Sequence, residues 1–437
     1  MKLFNKLLVI LLAIGIGSFL LACRGNDDSY LRIAFDIEDK DRYDDFFKKF
    51  EETHPDIKIQ PLYGQDISKL IGTRDEPDIF KTGDAYIEGI ARSLYPLDEF
   101  ITKDTAFSLD IFHENIIDSL KVDGKLYALP TSINTSLLYY NKTLFNESAE
   151  AIRIALNLNS TDSVYPNDQW TYDDFQKAGV ALTKFTGEGI NRRYQQYGAE
   201  TQATWWGEWL IYVRQYGGDF YQSNNNRRSA LNSEAALLGT TFMYNKSMGD
   251  DTMKFAPSLL DAELSFAGGK VGMIFGGHMG DWGSYNALGL DWDIEVLPKP
   301  VGRPDARGGE IATDAFGISV RSKKKEKAYT FLKYWVSEEG AKEMYKYGKI
   351  GALKNMESIV TEMSEFAPLN PKNMNAVFKA MEIAMPLPNE KDFQRVANQR
   401  VMDKIQIMLL GQLTPEAAMS LAHQAINRYY IDLYGNS

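Results

Sequence analysis

Leu31 to Asp36 alternates apolar and polar side chains as a short strand does, and Tyr43, Phe46, Phe47 and Phe50 then recur at the spacing of a helix with one buried face. His54-Pro55 ends that helix, because a proline disfavours helical geometry in the residue before it, and Ile57 to Tyr63 reads as the next strand. A strand, a helix and a second strand joined by short links form a βαβ unit, since parallel strands need a long crossover between them. That opening commits the chain to an α/β architecture with a parallel sheet. Pro77-Asp78-Ile79-Phe80 reads as a third strand, and Gly83-Asp84 marks where it opens into a loop. Ligands of open α/β sheets sit beyond the carboxyl ends of the strands, which makes Asp36 and Asp84 candidates by position. From pattern alone, a helix cap or a solvated loop carboxylate is the better reading of each.

Further along, Thr171 is placed to cap the Asp174 amide, with Trp170 and Phe175 as a hydrophobic staple, so Tyr172 to Lys184 reads as a surface helix. Trp205, Trp206 and Trp209 follow in an aromatic stretch that ends at Gly217-Gly218. Phe266 to Phe275 reads as a glycine-rich turn leading into a strand, Leu290 to Leu297 as another strand, and Ile318 to Val320 as a short one. Lys323 to Lys327 reads as the solvated start of a helix whose buried stripe is Tyr329, Leu332, Trp335 and Val336. The remainder is mainly helical, with Met374 to Met385 stopped by Pro386 and Thr414-Pro415 capping a last helix.

The amino terminus has the layout of a secretory signal: Lys2 and Lys6 precede an apolar run, Leu7 to Leu21, that is short for a bilayer span. The run ends in Leu20-Leu21-Ala22-Cys23, which resembles the bacterial lipobox. That resemblance implies cleavage after residue 22, a diacylglyceryl group on the Cys23 thiol, and residues 23–30 as a polar tether; a plain membrane anchor with an incidental cysteine is the alternative. Two acyl chains suffice for stable attachment, whereas one binds reversibly. Cys23 is the single cysteine of the chain, so internal disulfides are excluded. The formal charge of −11 becomes −13 once Lys2 and Lys6 leave with the signal, which argues against a nucleic-acid partner. About 415 residues then remain, more than one core usually serves, and two lobes are expected.

No Gly-x-Ser-x-Gly elbow, His-Glu-x-x-His, Cys-x-x-Cys or complete phosphate loop occurs, and the histidines are only four, at 54, 113, 278 and 423. Neither a metal nor a cofactor is implied. A pair of carboxylates could still serve a secreted glycoside hydrolase. Trp205, Trp206 and Trp282 lie in loops or at element starts rather than on a periodic apolar face, where an indole can serve a ligand or pack between lobes.

Five segments in order resemble the family-1 extracellular solute-binding proteins, the maltose-binding-protein-like group. They are Leu31 to Ile59; Pro77-Asp78-Ile79-Phe80 with Asp84; Asp123 to Pro130 followed by Leu138-Tyr139-Tyr140-Asn141-Lys142; Phe266 to Met273 leading to Trp282; and Gly317 to Val320 followed by Lys323 to Gly340. The resemblance implies a type II periplasmic-binding-protein fold: two α/β lobes, each a mainly parallel sheet flanked by helices, joined by a hinge. Its crossings are expected near Asn134, Asn286 and Gly348, giving 31–134 with 287–347 as lobe 1 and 135–286 with 348–437 as lobe 2. It implies a monomer, anchored outside the cytoplasm, that binds a sugar or oligosaccharide without turnover and delivers it to ABC transporter permease subunits. Asp36, Asp84 and Asn134 match cleft positions that bind hydroxyls; Trp205 or Trp206 and Trp282 match stacking regions; His278 and Asp281 share the glycine-rich loop; and Phe393 or Gln394 falls where the family stacks an aromatic ring. A polyamine or peptide ligand is the rival, because Asp36 and Asp84 could flank an ammonium group beside an indole. Tyr139-Tyr140 does not read as a ferric site, since neighbouring strand residues face opposite ways.

Overall fold

The computed structural model of the protein describes residues 29–40, 43–84, 86–259, 263–366, 369–388 and 390–435, apart from the side chains of Glu38, Ile190 and Asp281. Cys23, the signal-like segment and the Asp281 side chain therefore lie outside the described residues.

β1 (Tyr30–Phe35), α1 (Asp44–Thr53) and β2 (Lys58–Tyr63) form the opening βαβ unit, with β1 and β2 parallel from Tyr30 against Lys58 to Phe35 against Tyr63. Phe46, Phe47 and Phe50 turn one face of α1 into the core. β3 (Ile79–Gly83) joins the other edge of β1, also in parallel. β4 (Ala128–Thr135) and β5 (Leu137–Asn141) are separated by Ser136 alone yet belong to different sheets, so the chain leaves the first lobe there. The second lobe follows as α2 (Tyr172–Leu182), β6 (Lys184–Thr186), β7 (Arg193–Ala199), α3 (Gly207–Gln215), α4 (Glu234–Met248), β8 (Val271–Gly277), α5 (Trp282–Ala287) and β9 (Trp292–Glu295). β10 (Glu310–Ile318) returns to the first sheet and leads into α6 (Lys325–Trp335), α7 (Glu338–Tyr345) and α8 (Met356–Glu362). α9 (Asn375–Ile383) touches β4, β5 and β9, so it lies across the junction. After β11 (Met385–Pro386), helices α10 (Phe393–Val396), α11 (Met402–Leu409) and α12 (Pro415–Tyr434) close the second core.

The first sheet runs β11-β10-β3-β1-β2 with β4 also on β10, and the second runs β9-β5-β8-β7-β6. The second sheet corrects the expectation of a mainly parallel arrangement. Only β7 and β8 pair in parallel there, while β5 with β8, β5 with β9, and β6 with β7 are antiparallel. A strand that brings the chain into a lobe and one that takes it out run in opposite directions, so crossing strands that become neighbours must pair antiparallel.

Strand pairing also moves two expected boundaries. β9 pairs with β5 from Trp292 to Glu295, so the second crossing comes after Glu295 and not at 286. Leu353 bridges to Phe112, and α8 packs on α7, which keeps the chain in the first lobe well beyond Gly348. In place of the short strand expected at 318–320, a nine-residue strand, β10, ends at Ile318, and Ser319 follows only as an isolated bridge to Leu94. The start of β10 was masked by polar residues such as Asp314, which faces open space rather than core.

The loop between β7 and α3 is tied down by an ion pair with no exposed surface, Lys246 of α4 with Glu208 of α3. The Glu208 carboxylate also accepts from the Gln202 amide at 2.7 Å and the Tyr212 hydroxyl at 2.8 Å, and the Lys246 ammonium donates to the Glu200 carbonyl at 2.6 Å. Burial draws the Lys246 ammonium below its ordinary pKa, against the opposing pull of Glu208. Removing one partner of such a pair strands a buried charge, whereas removing both does not. Lys246→Met should lower unfolding free energy by about 3–5 kcal/mol in a denaturant titration. Adding Glu208→Gln should recover part of that loss, and a stable single variant would show that the pair does not hold the loop.

Candidate ligand-binding cleft

On the first-lobe side, Asp36 follows the carboxyl end of β1 and accepts from the Lys81 ammonium at 2.8 Å. The Lys81 nitrogen is also 3.3 Å from Asp314, on β10. Burial alone would lower the Lys81 pKa, but the two carboxylates outweigh it and hold the pKa above the ordinary lysine value. Asp84 follows the carboxyl end of β3, where its Oδ1 accepts from the Thr313 amide at 3.2 Å. Gly83 is required for that approach: a Cβ there would stand 2.3 Å from the Thr313 carbonyl oxygen.

At the junction, Asn134 near the end of β4 accepts from the Met279 amide at 2.9 Å, so its side chain ties the first sheet to the loop after β8. His278 begins that loop. Gly276, at φ +80°, and Gly277, where a Cβ would meet the Tyr139 ring at 2.5 Å, shape the backbone that presents it. The Nε2 of His278 lies 2.7 Å from Oε1 of Glu310, the first residue of β10, which is 3% exposed. The contact is close but off the hydrogen-bonding direction, so it gains strength only as a charge pair when the imidazole is protonated.

On the second-lobe side, the Trp205 indole is partly exposed. It donates to Gln202 Oε1 at 2.7 Å and stands edge-to-face on the His278 ring, with centroids 4.8 Å apart at 85°. Gly207 makes room for the indole, since a Cβ there would lie 2.0 Å from the ring. Trp205 and His278, with Glu200, Gln202, Ile274, Gly277 and Tyr285, line a hollow of about 310 Å³. A larger groove of about 670 Å³ runs between the lobes. Asp84, Glu88 and Asp123 line it from the first, Arg214, Asp219 and Asn226 from the second, and Met385 to Pro388 lie along it. Burial pushes the Glu88 carboxyl up, with Lys391 and Arg227 pulling the other way.

The fold thus brings Asn134, Trp205 and His278 together at the junction and sets Asp36 and Asp84 at the ends of adjacent first-lobe strands. Trp206 and Trp282 depart from their expected role as flat exposed platforms. Trp206 is 2% exposed, donates to Gln394 Oε1 at 2.8 Å and packs against Phe393. Trp282 is 5% exposed and donates to the Tyr139 hydroxyl at 2.6 Å. Each begins or precedes a helix whose inner face seals a core, so position in a loop did not translate into exposure. Phe393 is buried beside Trp206. Tyr139 and Tyr140 face different cores, as strand alternation requires. Sequence reasoning missed Gln202, Glu310 and the 385–388 segment. Gln202 was within reach as a polar residue beside the Trp pair, whereas Glu310 carries no local signal. Among the described residues, no cluster of three or more His, Cys, Asp or Glu is arranged to hold a metal ion.

Residues 36–342 match the family described as bacterial extracellular solute-binding protein. The galactooligosaccharide-binding protein of Bacillus subtilis (strain 168) is 22% identical over 97% of this chain and 96% of its own. The arabinooligosaccharide-binding protein of the same organism is 26% identical over 69% and 68%. An ABC substrate-binding protein from Listeria monocytogenes, solved in complex with cycloalternan, superposes with a TM-score of 0.75 at 23% identity, covering 92% of this chain and 98% of that one. A cyclo/maltodextrin-binding protein complexed with maltotetraose gives a TM-score of 0.72 at 19% identity, covering 94% and 99%. The two-lobe architecture is that of the type II periplasmic binding proteins, and the chain belongs to the bacterial extracellular solute-binding protein family.

Proposed function

We propose that this protein captures a sugar or short oligosaccharide between its lobes and delivers it, without turnover, to the permease subunits of an ABC transporter. The observation that carries this reading is the hollow at the second-lobe end of the junction, where the Trp205 indole stands among Gln202, His278 and Glu200, together with a separate groove lined from both lobes. A sugar offers apolar C–H faces to an aromatic ring and a rim of hydroxyls to groups that accept and donate. Gln202 can do both, and the acids of the groove can accept. Two relatives along most of the chain are described as oligosaccharide-binding, which supports the same class here. The proposed contact set is Trp205, Gln202, His278, Asn134 and Asp84, with Asp36 at its edge.

The rival polyamine reading is weakened by Lys81, whose ammonium already pairs with Asp36, one of the two acids that would flank a ligand amine. We also propose that the protein works outside the cytoplasm as a monomer held by lipid on Cys23, within the lipobox-like Leu20-Leu21-Ala22-Cys23. Among the described residues no helix is long and apolar enough to cross a membrane.

Ligands that bind only the folded state raise its melting temperature by mass action. In a thermal-shift screen of the chain from Asp27 onward, galacto-, arabino- or maltooligosaccharides should raise the melting temperature, while polyamines, amino acids and ferric salts should not. A shift with polyamines alone would overturn the sugar reading. Trp205→Ala should weaken binding of the sugar so identified by at least about 1 kcal/mol with little change in stability. Trp206→Ala should instead cost about 3–5 kcal/mol of stability, as a buried aromatic truncation does. The reverse pattern in calorimetry and denaturation would move the site away from Trp205.

A further inference from the structure

At the end of the first sheet remote from the cleft lies a second hollow of about 400 Å³, and its lining carries five cations, Arg32, Arg74, Arg321, Lys323 and Lys324, against two carboxylates, Glu76 and Asp78. The carboxylates are committed beneath the surface. Asp78 accepts from the Arg32 amide at 3.0 Å, the Ser322 hydroxyl at 2.6 Å and the Lys324 ammonium at 3.2 Å. Glu76, with its side chain 4% exposed, accepts from the Gly72 amide at 2.6 Å and from the Ser319 hydroxyl. Arg74, Arg321 and Lys323 are exposed around them, Arg321 with its Nε 3.7 Å from a Glu76 oxygen, and the cations outnumber the carboxylates, so the face presented to solvent is positive on a chain that is acidic overall. The lysines at 323 and 324, which the sequence presents as a solvated helix start, are thus joined by arginines from β1 and from the turns at 74 and 321.

The hollow also borders the point where the chain enters the fold: the Lys324 ammonium donates to the carbonyl of Tyr30, the first residue of β1, at 2.6 Å. Cys23 is seven residues before Tyr30, a reach of at most about 25 Å. The cleft acids Asp36 and Asp84 follow the opposite ends of β1 and β3.

We propose that this basic hollow holds the phosphate of an anionic lipid headgroup and so seats the base of the first lobe on the membrane. It rests on the lipid-anchor reading above. Guanidinium forks match a phosphate bidentately, and the tether delivers this face, rather than the cleft, to the bilayer. The seated orientation leaves the cleft open to the exterior for loading. Each cation near an anionic surface favours that orientation about fivefold, so a net excess of three gives a bias of roughly a hundredfold.

The test uses the lipidated chain in vesicles of phosphatidylglycerol or of phosphatidylcholine, acylated with an amine-reactive reagent. Labelling of Lys323 is read by mass spectrometry against Lys177, which is on α2 in the other lobe. Lys323 should label at least about tenfold more slowly on phosphatidylglycerol, with Lys177 unchanged. Arg74→Ser with Arg321→Ser should remove most of that protection, and an unchanged melting temperature verifies that the variant is folded. Equal labelling on the two lipids overturns the proposal. So does equal protection on phosphatidylcholine when inorganic phosphate is added, which would assign the hollow to a free anion. A chain that fails to float with either vesicle refutes the anchor and, with it, the seating.

Discussion

Each lobe of this protein owns a sheet, and the backbone crosses between the lobes in three places, with α9 packed on strands of both sheets at the junction. Ser136 makes the first crossing, residues 296–309 the second, and the segment around α9 and β11 the third. The proposed capture of a solute between the lobes depends on that constraint. Bodies joined by a few crossing segments can change their relative angle by small backbone rotations without unpacking either core, and a solute held by both faces sets that angle. The groups at the crossings are accordingly polar and interlobe: Asn134 reaches the Met279 amide, and His278 stands beside Glu310.

Ligand capture then becomes a question of differential affinity. A closed arrangement is favoured only by contacts that the open one cannot make from a single lobe. In the proposed contact set the first lobe contributes acids at strand ends, with Lys81 paired to Asp36, and the second contributes an indole held by Gln202 and His278. Trp205 is exposed enough to meet a ligand because Gly207 yields space for its ring and because the Glu208–Lys246 pair holds the loop. A buried ion pair requires its remaining polar atoms to be satisfied, and here Gln202 and Tyr212 donate to Glu208 while Lys246 donates to the Glu200 carbonyl.

Much of the fold was legible because strand and helix periods differ. The βαβ opening, the Thr171 capping box and the proline-capped last helix follow from residues a few positions apart, and all three are realised. Pairing partners are not encoded locally, so the mostly antiparallel second sheet and the membership of β9 in it could not be read from the chain. The geometry of the candidate site was legible in part. Asp36 and Asp84 could be placed just beyond strand ends because those ends are visible in sequence. Trp206 and Trp282 could not be sorted from Trp205, because exposure of an indole beside a helix start depends on which core that helix seals. The basic hollow was invisible for the same reason: Arg32 and Arg321 are distant in sequence and meet only through the register of β1, β3 and β10.

The central claim, that two lobes close on a shared sugar, is tested most directly by small-angle X-ray scattering of the soluble chain with and without saturating oligosaccharide from the galacto or arabino series. The account predicts a smaller radius of gyration with the binding sugar and none with a non-binding one. Binding with an unchanged radius would contradict closure and place the ligand on one lobe alone.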